Sequence, residues 1–313
     1  MQTRRKALAT LGAAGAAAIM PVAGFANNQK QISKNHPSFR YCLNTSTISG
    51  QKPGIVKYIE VAGEAGYDGI EVWMRDLKQY VDDGNSLESL RKLIEDNKLK
   101  VEDAIGFAPW LVPGEEAKQE GFKQMKQEML MLKEIGGTRI AAPPAGVTAD
   151  QPFDLYKAGE RYHQLLDLGR ETGVMPQLEF WGASPVLNHM AQVLMIAAAA
   201  NDPDARILPD VYHLFRGGSG FESLKMLNGH FVEIFHMNDY PSSKPREEQT
   251  DADRVYPGDG VAPIKQILTD LKGDGGTTVL SLELFNRDYW KEDLLTVAQT
   301  GIRKMKQAVA MVE

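Results

Sequence analysis

Four short apolar runs, far apart along the chain, each stop at an acidic residue or a histidine: Pro176-Gln177-Leu178-Glu179, Ile207-Leu208-Pro209-Asp210, Phe231-Val232-Glu233-Ile234-Phe235-His236 and Val279-Leu280-Ser281-Leu282-Glu283. Runs of this length bounded by turn signals read as buried strands of a parallel sheet. A parallel sheet gathers the carboxyl ends of its strands on one side, where α/β proteins place their chemistry. Glu179, Asp210, His236 and Glu283 are therefore expected on one rim. Three carboxylates and an imidazole converging there repel one another unless a cation sits among them.

Further strands are expected upstream, at Phe39–Asn44, Tyr67–Trp73 (carrying Glu71), Val101–Phe107 and Thr138–Ala142. Between them run helical patterns, notably Ile55–Ala65, Ser86–Asn97, Glu116–Ile135 and Phe153–Thr172. After Glu179 come a helix from Ser184-Pro185, one near Phe221–Leu227, one at Pro263–Leu271 and a last one over Glu292–Val312. Eight strands alternating with helices, with right-handed crossovers, close naturally into a (β/α)8 TIM barrel. An open doubly wound sheet is the alternative. No glycine-rich loop follows the first strand, which argues against a nucleotide cofactor. No linker divides residues 39–313, so they read as a single catalytic domain.

The amino terminus reads differently. Met1–Ala26 joins a basic start, Thr3-Arg4-Arg5-Lys6, to an Ala-rich apolar run and small residues at Gly24-Phe25-Ala26. This is the pattern of a secretory signal. The Arg pair resembles a twin-arginine export signal, with Ala7 in place of the usual bulky apolar residue. The expected location is the periplasm, and residues 27–38 form a polar lead-in. A lone cysteine, Cys42, excludes an intrachain disulfide. The net charge of -6 argues against a nucleic-acid partner. Beyond the leader no apolar run is long enough for a membrane anchor. A homo-oligomer stays open.

A set of Glu, Asp, His and Glu donors suits Mn²⁺, Mg²⁺, Co²⁺ or Zn²⁺, hard oxygen ligands favouring the first two. An ion holding a carbonyl and the neighbouring hydroxyl stabilises the enediolate formed when the carbon-bound proton leaves. Carboxylates beside that carbon then serve as base and acid.

The segments LEFWG, PDVYH, FHMND and LELF, with the Arg254–Gly260 loop, resemble the xylose isomerase-like TIM barrels of the sugar phosphate isomerase/epimerase family. The resemblance runs from about Phe39 to the end of the chain. It implies one divalent ion, most often Mn²⁺, on Glu179, Asp210, His236 and Glu283. It also implies that Glu179 and Glu283 flank the substrate as catalytic proton carriers, and that His213 and Arg254 bind substrate oxygens. Ketose epimerases carry a second Glu six residues after the first ligand, and that position is Pro185 here. Glu71 and Trp181, at or just past strand ends, are further candidates for contact with a carbohydrate substrate. The expected activity is a metal-dependent isomerase or epimerase. The alternatives are a lyase or dehydratase acting on a keto-sugar, keto-glycoside or inosose at the same site, and a binding module with an inactive site.

Overall fold

The computed structural model describes residues 38–227, 231–272 and 276–313. The export segment 1–26 and nearly all of the lead-in lie outside the described residues. Eight parallel strands alternate with helices: β1 (Phe39–Asn44), α1 (Ile55–Ala65), β2 (Gly69–Trp73), α2 (Met74–Asp82), α3 (Leu87–Asp96), β3 (Lys100–Ile105), α4 (Glu115–Glu134), β4 (Arg139–Ala142), α5 (Leu155–Thr172), β5 (Met175–Glu179), α6 (Met190–Ala200), β6 (Ile207–Leu208), α7 (Val211–Arg216), β7 (Ile234–Met237), α8 (Ile264–Leu271), β8 (Thr278–Leu282) and α9 (Leu294–Val309). The strands form two arcs, β3-β2-β1-β8-β7 and β4-β5-β6. A bond from His236 N to Pro209 O at 2.9 Å and the Asp210–His236 bridge join β6 to β7, and β3 packs beside β4. The sheet thus curls into the expected (β/α)8 barrel with its helices outside.

Alternation along the strands decides what fills the barrel. Cys42, Ala141, Leu208, Ile234 and Val279 are buried inside as an apolar layer. Residues two positions further along their strands point the same way, nearer the carboxyl ends. The amino-terminal end is closed by ion pairs. Arg139 and Arg206 both reach Glu233, at 2.5 and 3.4 Å, while Arg40 and Arg139 flank Glu102. The outer faces of the strands meet the apolar faces of the helices in a continuous core. Among the described residues, no helix is long and apolar enough to cross a membrane.

Local elements depart from expectation in four places. The helix expected from Ser184-Pro185 begins only at Met190, capped by His189, and the Ser184 hydroxyl instead accepts the N–H groups of Val186 and Leu187 in a turn. The segment expected as a helix at Phe221–Leu227 is a 3-10 turn, Glu222–Met226. The crossover helix lies earlier, because Asp210 caps α7 by accepting the backbone N–H of His213 at 2.7 Å. Helix α2, directly after β2, was not expected. Strand β7 begins at Ile234 and runs through His236, so the histidine lies within the strand and not beyond it.

Candidate active site

The last inward positions of the strands converge at the carboxyl end of the barrel. Strand register places Asn44 beside Glu71 and Glu71 beside Asp103, while His236 lies beside Ser281. Glu71, Asp210 and His236 are wholly buried, and Glu179 and Glu283 nearly so. His236 Nδ1 lies 3.1 Å from Glu283 Oε2 and 3.7 Å from Asp210 Oδ2. Among the described residues, Asp210, His236 and Glu283 bring their donor atoms within 4.8 Å of one another, close enough to hold one metal ion. Glu179 stands outside that group of three.

Two of these atoms have no hydrogen-bond partner although they are buried: His236 Nδ1 and Glu179 Oε2. Buried polar atoms rarely remain unsatisfied. An imidazole nitrogen facing two carboxylate oxygens is the donor chemistry of a divalent-ion site. The residues therefore fit such an ion.

Neighbouring groups fix the orientation of each donor. Asn238 Nδ2 donates to Asp210 Oδ2 at 2.9 Å, while its carbonyl oxygen accepts the Tyr212 N–H at 2.9 Å. Asp210 is thus held by its own helix cap on one oxygen and by Asn238 on the other. Gly182, in the loop after Glu179, donates its N–H to His213 Nδ1 at 3.2 Å. A side chain at Gly182 would bring a Cβ within 2.8 Å of His213 O and 2.7 Å of Gly217 N, so this close approach requires glycine. On the other side of the ring, Arg254 Nη2, itself only a donor, lies 3.2 Å from His213 Nε2, so N–H donors face both ring nitrogens.

Arg254 arrives from the loop between β7 and α8. Its Nη1 donates to Glu283 Oε2 at 2.7 Å and Asp210 Oδ2 at 2.9 Å, and its Nη2 to Asp251 Oδ1 at 2.6 Å. The guanidinium also lies over the rings of Tyr212 and Phe285. Asp239 organises the loop. Its carboxylate accepts the N–H groups of Tyr240, Gly258, Gly260 and Ala262, and its backbone pairs with Val255.

The two outer glutamates differ in character. Burial pushes the Glu179 carboxyl up to about 8, Glu283 and Asp210 adding to the effect against His236. For Glu283 burial also works upward, but His236 and Arg254 outweigh it and hold the group well below the usual carboxylate range. Burial lowers the His213 pKa and favours the neutral ring.

Above these groups opens a cavity of about 790 Å³ whose lining includes Glu179, Trp181, His213, Arg254 and Glu283. Of the residues singled out from sequence, these five face the cavity, and Asp210 and His236 lie against them. Glu71 does not. It was expected to touch substrate, but it is wholly buried, bonded to Asn44, Ser281 and His236. Its side chain points inward two residues before Trp73, and it is Trp73 that reaches the cavity. Trp73, Phe107 and Trp181 form a chain of rings with centroids 5.4 and 5.9 Å apart, and Phe107 is 43% exposed. Asn44, Asp251 and Phe107 belong to the site and were not singled out from sequence. Asn44 and Phe107 end expected strands, the one clue that pointed to them.

The chain is 27% identical over 277 residues to an inosose isomerase of Bacillus velezensis, covering 87% of this chain and 96% of that protein. It is 22% identical over 264 residues to a 3-dehydroshikimate dehydratase of Pseudomonas aeruginosa, covering 84% of this chain and 40% of that longer protein. The crystal structure of the IOLI protein, which contains a bound zinc atom, superposes with a TM-score of 0.80 at 26% identity, over 88% of this chain and 99% of that one. The sequence profile of the xylose isomerase-like TIM barrels matches residues 59–308, and the chain belongs to that family.

Proposed function

We propose that this protein is a divalent-metal-dependent isomerase or epimerase that moves a proton on a carbon beside a carbonyl of a small carbohydrate. The observation that carries the reading is the donor group of Asp210, His236 and Glu283 set against a cavity lined by Glu179, His213 and Arg254. Glu179, with an unpartnered oxygen at the same rim, is the fourth ligand in this reading. Hard oxygen donors favour Mn²⁺, although the solved relative contains zinc. When bound, such an ion supplies fixed positive charge where a carbonyl oxygen gains negative charge.

The chain's own groups do the rest. Glu179 and Glu283, which both line the cavity, are suited to take the carbon-bound proton and to return one. His213 binds a substrate oxygen, and Arg254 offsets developing charge. The inosose isomerase relative supports a cyclic polyol ketone as substrate class. The amino-terminal pattern supports export to the periplasm, which cell fractionation of the full chain tests.

A lyase is the second reading. Proton removal is the same, but a group on the next carbon then departs. The dehydratase relative supports it, as does Pro185, which lines the cavity where ketose epimerases carry a glutamate. Incubation with keto-sugars and inososes in D₂O tests both. Deuterium exchange with the carbon skeleton intact supports the isomerase, and loss of water or of an aglycone supports the lyase. No metal-dependent exchange with any of them would overturn both.

A further inference from the structure

Glu71 is a buried carboxylate that faces no cavity, and its partners give it a direction. Oε2 accepts two hydrogen bonds, from Asn44 Nδ2 at 2.9 Å and Ser281 Oγ at 2.5 Å, and Oε1 lies 2.9 Å from His236 Nε2. The Asn44 amide cannot turn round. Its Oδ1 already accepts the Trp73 indole N–H at 2.8 Å and the Ser46 backbone N–H at 2.9 Å, and its Nδ2 also donates to Glu283 Oε1 at 3.1 Å. An ionised carboxylate only accepts hydrogen bonds, so His236 Nε2 must carry the proton it shares with Glu71. The other ring nitrogen, Nδ1, is the unpartnered atom that faces Asp210 and Glu283.

We propose that Glu71 is a positioning residue that fixes His236 as its Nε2–H tautomer and so presents the Nδ1 lone pair to the divalent ion. The inference rests on the metal reading of the site. Carboxylates behind metal-ligating histidines fix tautomer and ring orientation, and their loss typically costs about 10–100-fold in metal affinity. The frozen Asn44 amide adds an unusual expectation for the isosteric variant. In Glu71→Gln, the position that accepts from Asn44 takes the new carbonyl oxygen. The new NH₂ then faces His236 Nε2, which has to accept. That places the ring proton on Nδ1, where an ion would bind. Glu71→Ala instead leaves room for a water that accepts the Nε2–H and preserves the tautomer.

The test is zinc affinity of native, Glu71→Gln and Glu71→Ala proteins by competition with a chromophoric chelator. Thermal melting of the metal-free proteins checks that each folds. The expected order is native tightest, Ala weaker, and Gln weakest by tenfold or more relative to native. A purely structural role predicts the reverse, with the isostere the milder change. A second reading, long-range ¹H–¹⁵N correlation on the zinc-loaded native protein, should show Nδ1 as ligand and Nε2 protonated. Ligation through Nε2, or Glu71→Gln binding zinc within twofold of native, overturns the proposal alone. A native protein that binds no zinc, Mn²⁺ or Mg²⁺ overturns the metal reading as well.

Discussion

Arg254 Nη1 lies 2.7 Å from Glu283 Oε2, and both side chains are almost wholly buried. The Glu283 oxygen it holds also faces His236 Nδ1, and its second acceptor is the Asp210 oxygen nearest that ring. The guanidinium and a divalent ion are therefore drawn to the same pair of oxygens. Arg254→Met removes the competing charge. Chelator competition should then show tighter binding of Mn²⁺, while kcat/KM falls on the order of a hundredfold for want of charge stabilisation. Weaker metal binding in this variant would show that Arg254 helps build the site instead of competing for it.

Removal of the metal has a thermodynamic signature besides loss of turnover. Ligand at a hundred times its dissociation constant stabilises the native state by about 2.7 kcal/mol. For a domain of this size that raises the melting temperature by roughly 5 °C. Calorimetry of chelator-treated protein, with and without added Mn²⁺, should show this rise, and Asp210→Asn should abolish it.

Glu179 sets a pH dependence of stability in the metal-free protein. Its folded-state pKa of about 8 lies above the 4.5 of an ordinary glutamate, so the native state binds the extra proton between those values. Stability from this group is fully present below pH 4.5 and is lost as pH rises through about 8. Glu179→Gln removes the dependence. Its melting temperature should exceed that of the native protein at pH 8.5 and match it near pH 4.5, as read by circular dichroism melts across that range.

Asp239 is a hub for backbone rather than for substrate. Asp239→Ala strands the N–H groups of Tyr240, Gly258, Gly260 and Ala262, each with a desolvation cost of its own. The expected loss is on the order of 3 kcal/mol in urea unfolding. Because Val255 pairs with Asp239, the Arg254 loop loosens too, and kcat/KM should fall with the metal stoichiometry unchanged. Hydrogen exchange over residues 239–262 should quicken in the same variant.

The sequence already shows why Asp210, His236 and Glu283 meet. Each lies at or near the carboxyl end of an apolar strand, and parallel strands bring such ends together whatever their distance along the chain. Glu71 was misread because its strand reads to Trp73, and alternation sends both inward at different depths. The deeper of the two serves the histidine instead of the substrate. Asn44 read only as the polar end of the first strand, and its hold on Glu71 and Glu283 becomes visible only when β1, β2 and β8 lie side by side. The position of α7 was missed because Val211–Arg216 has too few residues to show a helical period, although the capping aspartate stood in plain view. Arg254 sits in a long polar loop without periodicity, and only the resemblance pointed to it.

The ion pairs among Arg139, Arg206, Glu233 and Glu102 stopper the far end of the barrel. Among the described residues, the cavity that holds the candidate site opens at the other end, beside the exposed ring of Phe107. A product that leaves through this mouth backs out the way its precursor came in. While it lingers, the next molecule waits outside, so accumulated product should act as a competitive inhibitor.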